Sequence, residues 1–155
     1  MARLDRALWI GTPLGAALGL GLFTLAYAKG LSYASDEPEA CANCHIMQAQ
    51  YDGWQRGPHV AVATCNGCHV PQGFLAKWLS KGLNGYHHST AFTLQNFHEP
   101  IRITPRNAAA LEANCLRCHG EFVAEITAAR RAGEPAGCTR CHAGVGHGSL
   151  HGERS

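Results

Sequence analysis

Eight cysteines and ten histidines stand in a chain of 155 residues. All the cysteines fall into Cys-x-x-Cys pairs: Cys41/Cys44, Cys65/Cys68, Cys115/Cys118 and Cys138/Cys141. Each pair is followed at once by a histidine, namely His45, His69, His119 and His142. Three chemistries use Cys-x-x-Cys: half of a zinc site, a redox disulfide or, with histidine directly after, covalent attachment of a c-type haem. Four such histidines would arise by chance roughly once in 60,000 trials. A tetrahedral zinc site has no need of that next residue, which points away from it. The pattern therefore reads as four covalently bound haem c groups. Two thiols add across the two vinyl groups of one haem, and the adjacent imidazole reaches the iron from one face.

Four irons have eight axial positions, and the motif histidines fill up to four. Six other histidines remain: His59, His87, His88, His98, His147 and His151. Demand for ligands points first to His59 and His147. His87 and His88 are individually weaker candidates, and His98 and His151 are either loop residues or ligands. Met47, two residues beyond His45, is the one methionine besides Met1. It either fills a gap against a haem face or binds iron, and thioether ligation would raise that haem's potential over bis-histidine ligation.

Elements must position these groups. The first is the uncharged run from Ala7 to Ala28, 22 residues long. As a helix it spans about 33 Å, enough for a bilayer core. Arg3 and Arg6 precede it, while Asp36, Glu37 and Glu39 follow. The positive-inside rule then puts residues 1–6 in the cytoplasm, a transmembrane anchor at 7–28, and residues 29–155 outside as a tetrahaem domain. The rival reading is a cleaved signal peptide ending in Ala-Tyr-Ala, but the run exceeds the usual signal core. Gly11, Gly15 and Gly19 share one face, either as a surface for self-association of two such helices or as part of a glycine-rich span. Because covalent haem is attached outside the bacterial cytoplasm, the expected location is the inner membrane, single-pass, with the head in the periplasm.

The head is short for a hydrophobic core and rich in glycine, so haems are expected to supply its interior. The fold class expected is mainly α with long loops and almost no sheet: one N-terminal transmembrane helix plus a small haem-packed head. A helix is expected from Asp36 to about Trp54, carrying the first motif and broken by Arg-Gly-Pro-His at 56–59. A second follows the second motif over Val70–Gly85. Phe74, Leu75, Trp78, Leu79 and Leu83 lie along one face of it, and Lys77 and Lys81 along another. That helix either lies on membrane lipid, since the chain has just left the bilayer and Trp sits in the stripe, or packs on haem. Residues 86–104 read as a loop. Thr104 and Pro105 then start a helix through the third motif, which Gly133 and Pro135 end. The tail after Gly148 is polar. The formal charge of +2 omits the haem propionates, and no basic run supports a nucleic-acid partner.

The stretches "CHIM", "KGLNGYHHSTAFTLQNF", "ITPRNAAALEANCLRCHG" and "CTRCHAGVGH", together with the anchor and the four motifs, resemble the NapC/NirT family of membrane-anchored quinol dehydrogenases. They look closest to its branch serving ammonia-forming nitrite reduction. The resemblance implies electron transport in anaerobic respiration: menaquinol is oxidised at the first haem, and electrons pass to a multihaem nitrite reductase catalytic subunit. In that reading the chain is a quinol dehydrogenase and electron-transfer subunit, not itself the nitrite-reducing one. Other periplasmic reductases, of nitrate or other oxyanions, are the alternative acceptors. The resemblance further implies that Met47 binds the first iron, leaving His45 free of it, and that His59 and His147 are distal ligands. The exit haem takes a lysine from the catalytic partner. Lys81, with Lys77 beside it, matches a lysine near the quinol pocket. His88 stands where the family's best-studied branch has an acid over the first haem, so it either binds iron or accepts the quinol proton. Two other classes compete: a stand-alone terminal reductase, and a non-catalytic haem or zinc module.

Overall fold

The computed structural model describes residues 2–128 and 137–148, and among these there is no strand. Gly133, Pro135, His151 and the polar tail lie outside the described residues. The chain divides into two compact units, residues 1–35 and 36–155.

The first unit is α1, Ala2–Tyr27, followed by a short 3-10 turn at Gly30–Ala34. Twenty-three residues of α1, Asp5–Tyr27, form a helix long and apolar enough to cross a membrane. Pro13 is accommodated within it. Leu8, Trp9, Ile10, Leu14, Leu18, Leu22 and Phe23 are all exposed. A Cβ added at Gly11, Gly15 or Gly19 would meet nothing.

The second unit is a set of short helices around the cysteine motifs. They are α2 (Pro38–Cys41), α3 (Gln48–Gln55), α4 (Cys65–His69), α5 (Phe74–Leu94), α6 (Pro105–His119), α7 (Ala124–Ala128) and α8 (Cys138–Cys141). The helix expected over 36–54 is interrupted. Cys44 is extended at φ −89 and ψ 119, and a 3-10 turn at His45–Met47 separates α2 from α3. Thr104 caps α6 as expected, accepting from the Asn107 amide, with Pro105 next.

The largest departure concerns residues 86–104. Nine of them, 86–94, continue α5. The Thr90 and Thr93 hydroxyls bond back to the Tyr86, His87 and Ser89 carbonyls, so these residues sit inside a helix without leaving a polar group idle. Gln95 ends α5 in the left-handed region at φ 55, its amide side chain donating to the Phe92 carbonyl.

The interior of this unit is inverted relative to an ordinary small domain. Val70 is its one buried hydrophobic side chain among the described residues, whereas Ser80, Lys81, Glu112 and Asn114 are buried polar groups. Long-range hydrogen bonds replace apolar packing. Asn114, one residue before the third motif, donates to the Cys68 and Val70 carbonyls and accepts from Gln72. Arg117 donates to the Gly67 carbonyl. These bonds fasten α6 to α4.

Candidate functional site: the histidine pairs, the thiol neighbours and the lysine face

Three of the four motifs lie on helical turns, so both thiols and the following histidine emerge from one short piece of backbone. Thr64 caps α4 through the Gly67 amide. Glu112 does the same for the fourth motif from a different helix. Its carboxylate accepts from the amides of Cys138 and Thr139 and from the Thr139 hydroxyl, at 2.8, 3.1 and 2.9 Å. Burial pushes this acid up, but the bonds at Cys138 and Thr139 outweigh it and leave it below its ordinary value. Sequence reasoning missed Glu112, because its partners lie 26 and 27 residues along the chain.

The thiols reveal the order of the motifs in space. Cys41 shares a hydrogen bond with Cys65, which pulls Cys41 down to about 7. Cys68 lies near enough to Cys118 to feel its charge, and Cys115 near enough to feel that of Cys68. Cys115 in turn shares a hydrogen bond with Cys138. The attachment points therefore run first, second, third, fourth.

Two imidazole pairs stand out. The rings of His69 and His147 have centres 5.9 Å apart and nearly parallel planes at 17°. Those of His59 and His119 lie 6.1 Å apart with planes at 83°. An imidazole nitrogen sits about 2 Å from the metal it binds, so two imidazoles in trans on one metal have ring centres about 6 Å apart. Both pairs fit one iron between them. The His147 Nδ1 lies 3.0 Å from the Gln50 carbonyl oxygen, so the ring donates there and Nε2 is the nitrogen left to bind a metal. Gly53 supports the same segment, packed on the His147 backbone. Burial, and then His147 beside it, push the His69 imidazole down, favouring the neutral form that metals bind.

The remaining candidates are placed as follows. Met47 is half-buried at the end of its turn and His45 is exposed. His142 caps α8, exposed, and among the described residues no second imidazole stands against it. His98 is exposed, and His87 packs its ring against Tyr86. His87 and His88 sit on α5 rather than in a loop. Helical spacing puts Lys77, Lys81, Asn84 and His88 along one side of α5. Atoms crowding its ring, and then His87, push the His88 imidazole down, though part of the ring reaches solvent. The opposite side is apolar and exposed, Leu75 at 81% and Leu79 at 65%, while Lys81 on the inner side is 5% exposed. Lys81 and Lys77 both pair with Asp36.

Haem fits these residues. The thiols and motif histidines form four groups of two cysteines and one histidine, two histidine pairs have the spacing that a shared metal would need, and the described residues of the unit lack the apolar interior that flat porphyrins would supply.

Residues 5–152 match the NapC/NirT cytochrome c family, N-terminal region. The chain is 37% identical over 144 residues to the cytochrome c-type protein NrfH of Wolinella succinogenes, covering 86% of this chain and 81% of that one. It is 31% identical over 134 residues to the cytochrome c nitrite reductase subunit NrfH of Nitratidesulfovibrio vulgaris, covering 86% and 80%. Its fold matches a chain of the cytochrome c nitrite reductase NrfHA complex crystallised with the HQNO inhibitor. That match has a TM-score of 0.65 and 30% identity over 90% of this chain and 92% of the other.

Proposed function

Since the chain belongs to the NapC/NirT cytochrome c family, we propose that it oxidises menaquinol at the membrane and relays the electrons to the catalytic subunit of an ammonia-forming nitrite reductase. It carries four haem c groups, which supply the one-electron redox chemistry. The observation that carries this reading is the sequence of thiol neighbours, 41 to 65, 68 to 115 and 118, and 115 to 138, which orders the attachment points as a single file.

The residues divide the work. Cys41, Cys44, Cys65, Cys68, Cys115, Cys118, Cys138 and Cys141 anchor the haems. His69 with His147 holds the second iron, and His119 with His59 the third. Met47 serves the first iron, which leaves His45 unused. His142 binds the fourth from one side, and its exposure suits completion of that iron by a group from the catalytic subunit. Lys77, Lys81 and His88 line the quinol side. Quinol gives up two protons with its two electrons, and a neutral imidazole at His88 can accept one.

The chain is a single-pass protein of the bacterial inner membrane. Residues 1–6 face the cytoplasm, 7–28 span the bilayer, and the head at 29–155 lies in the periplasm. The match to the solved chain covers more of this chain than the head alone supplies, which supports a retained anchor. The open Gly11, Gly15 and Gly19 face is narrow enough to receive a second such helix. The apolar side of α5 rests on lipid, because an outward apolar face with an inward lysine is the reverse of a water-facing helix.

The test uses the complex purified in mild detergent. Lys81→Met should slow haem reduction by a menaquinol analogue at least ten-fold, while dithionite still reduces all the haems. Normal quinol oxidation by that variant would place the quinol site elsewhere.

A further inference from the structure

Glu112 stands between two attachment points. It lies on α6 one helical turn before Cys115, and its carboxylate reaches across to the start of α8. Oε2 accepts from the Cys138 amide at 2.8 Å, and Oε1 accepts from the Thr139 amide at 3.1 Å and the Thr139 hydroxyl at 2.9 Å. Both oxygens face backbone N–H groups, which can only donate, so a proton on either oxygen would cost a bond. The side chain is therefore ionised. Glu112 is 8% exposed, and among the described residues no ion pair engages it.

The bonds and the charge have separate effects. A buried anion needs hydrogen bonds in place of water, and α8 gives this one three. Those bonds hold the charge in place without cancelling it. Burial first, and then this carboxylate, push the Cys115 thiol up, and the same two causes push Cys138 up to about 11. The sulfurs of the third and fourth motifs both feel the anion, and it remains beside them when they become thioethers. Ferric haem carries one more positive charge than ferrous haem, so a nearby fixed anion favours the oxidised form.

We propose that Glu112 is a positioning residue of the electron exit that also lowers the potentials of the third and fourth haems together. This rests on the single-file relay reading given above. Because the charge reaches both motifs, the step between them stays nearly level. The two as a pair become a stronger reductant toward the catalytic subunit.

The experiment is a redox titration, followed by visible absorbance, of the full four-haem chain in mild detergent. It compares wild type, Glu112→Gln, Glu112→Asp and Thr139→Val. A unit charge about 10 Å from a metal, at an effective dielectric of about 20, shifts a one-electron equilibrium roughly ten-fold, or about 59 mV. Glu112→Gln should raise two of the four midpoints by that amount, and Glu112→Asp should keep them low. Thr139→Val loosens the same contact but keeps the charge, and should raise none. The sign separates charge from packing, because a loosened motif admits water, which favours the ferric form and lowers a midpoint. Should Glu112→Gln fail to accumulate with four haems, Glu112→Ser is read the same way. Unmoved or lowered midpoints in the neutral variant overturn the proposal, as does an equal rise in Thr139→Val. A rise in one midpoint alone overturns the shared effect on both haems. A wild-type complex that passes no electrons from a menaquinol analogue to its catalytic subunit fails the relay reading instead, whatever the midpoints.

Discussion

His147 approaches α3 where only glycine fits, and Gly53→Ala tests its assignment to an iron. A Cβ at Gly53 would lie 2.1 Å from the His147 carbonyl oxygen, 2.7 Å from its carbonyl carbon and 3.0 Å from its Cα. Ordinary contact begins at 3.4 Å, so one backbone must retreat by about 1.3 Å. Metal–ligand bonds tolerate only about 0.2 Å. The ring of His147 cannot hold its 5.9 Å spacing from His69 through so large a displacement. Gly53→Ala should therefore leave four haems by mass but convert one, the second, from low spin to high spin. Electron paramagnetic resonance of the oxidised complex reads this as a difference, with the high-spin signal larger than that of wild type by one haem. Gly82→Ala is the control, since a Cβ there meets nothing within 4 Å. A high-spin signal no larger in Gly53→Ala than in wild type would refute the reasoning, because the second iron would then not depend on that backbone.

Two further predictions rest on other parts of the head. Glu112→Ala strips two backbone amides and a hydroxyl of a buried anionic partner and should cost about 3–5 kcal/mol in denaturant unfolding of the holoprotein, with Glu112→Gln milder because one oxygen still accepts; a loss below about 0.5 kcal/mol for Glu112→Ala would show that the fourth motif is held by other means. Spin labels at Leu75→Cys and Leu79→Cys in bilayer-embedded protein should be reached by oxygen in preference to a water-soluble nickel reagent, and the reverse preference at both would remove α5 from the lipid surface.

The sequence made the haem sites legible because Cys-x-x-Cys-His is a local pattern, written within five residues. It made α6 legible for the same reason, since Thr104 and Pro105 announce its start. What escaped was long-range or compensated. Residues 86–94 read as a loop because Ser89, Thr90 and Thr93 favour turns, and only the back-bonded Thr90 and Thr93 hydroxyls reveal how α5 absorbs them. Asp36 reads as a helix-start acid, yet its partners are 41 and 45 residues distant. Glu112 and Asn114 look like surface residues of an amphipathic helix and are in fact its most buried polar groups. His59 and His147 were visible as ligand candidates through ligand demand. Their placement beside His119 and His69 was not, since nothing in their spacing along the chain says which ring each would face.

With one buried aliphatic side chain among its described residues, the head has little in its own chain to drive collapse in water. Maturation and folding of the head would then be coupled, because each haem attached adds to its interior. A half-loaded chain would stay open to proteases, so degradation would sort chains by their cofactor content.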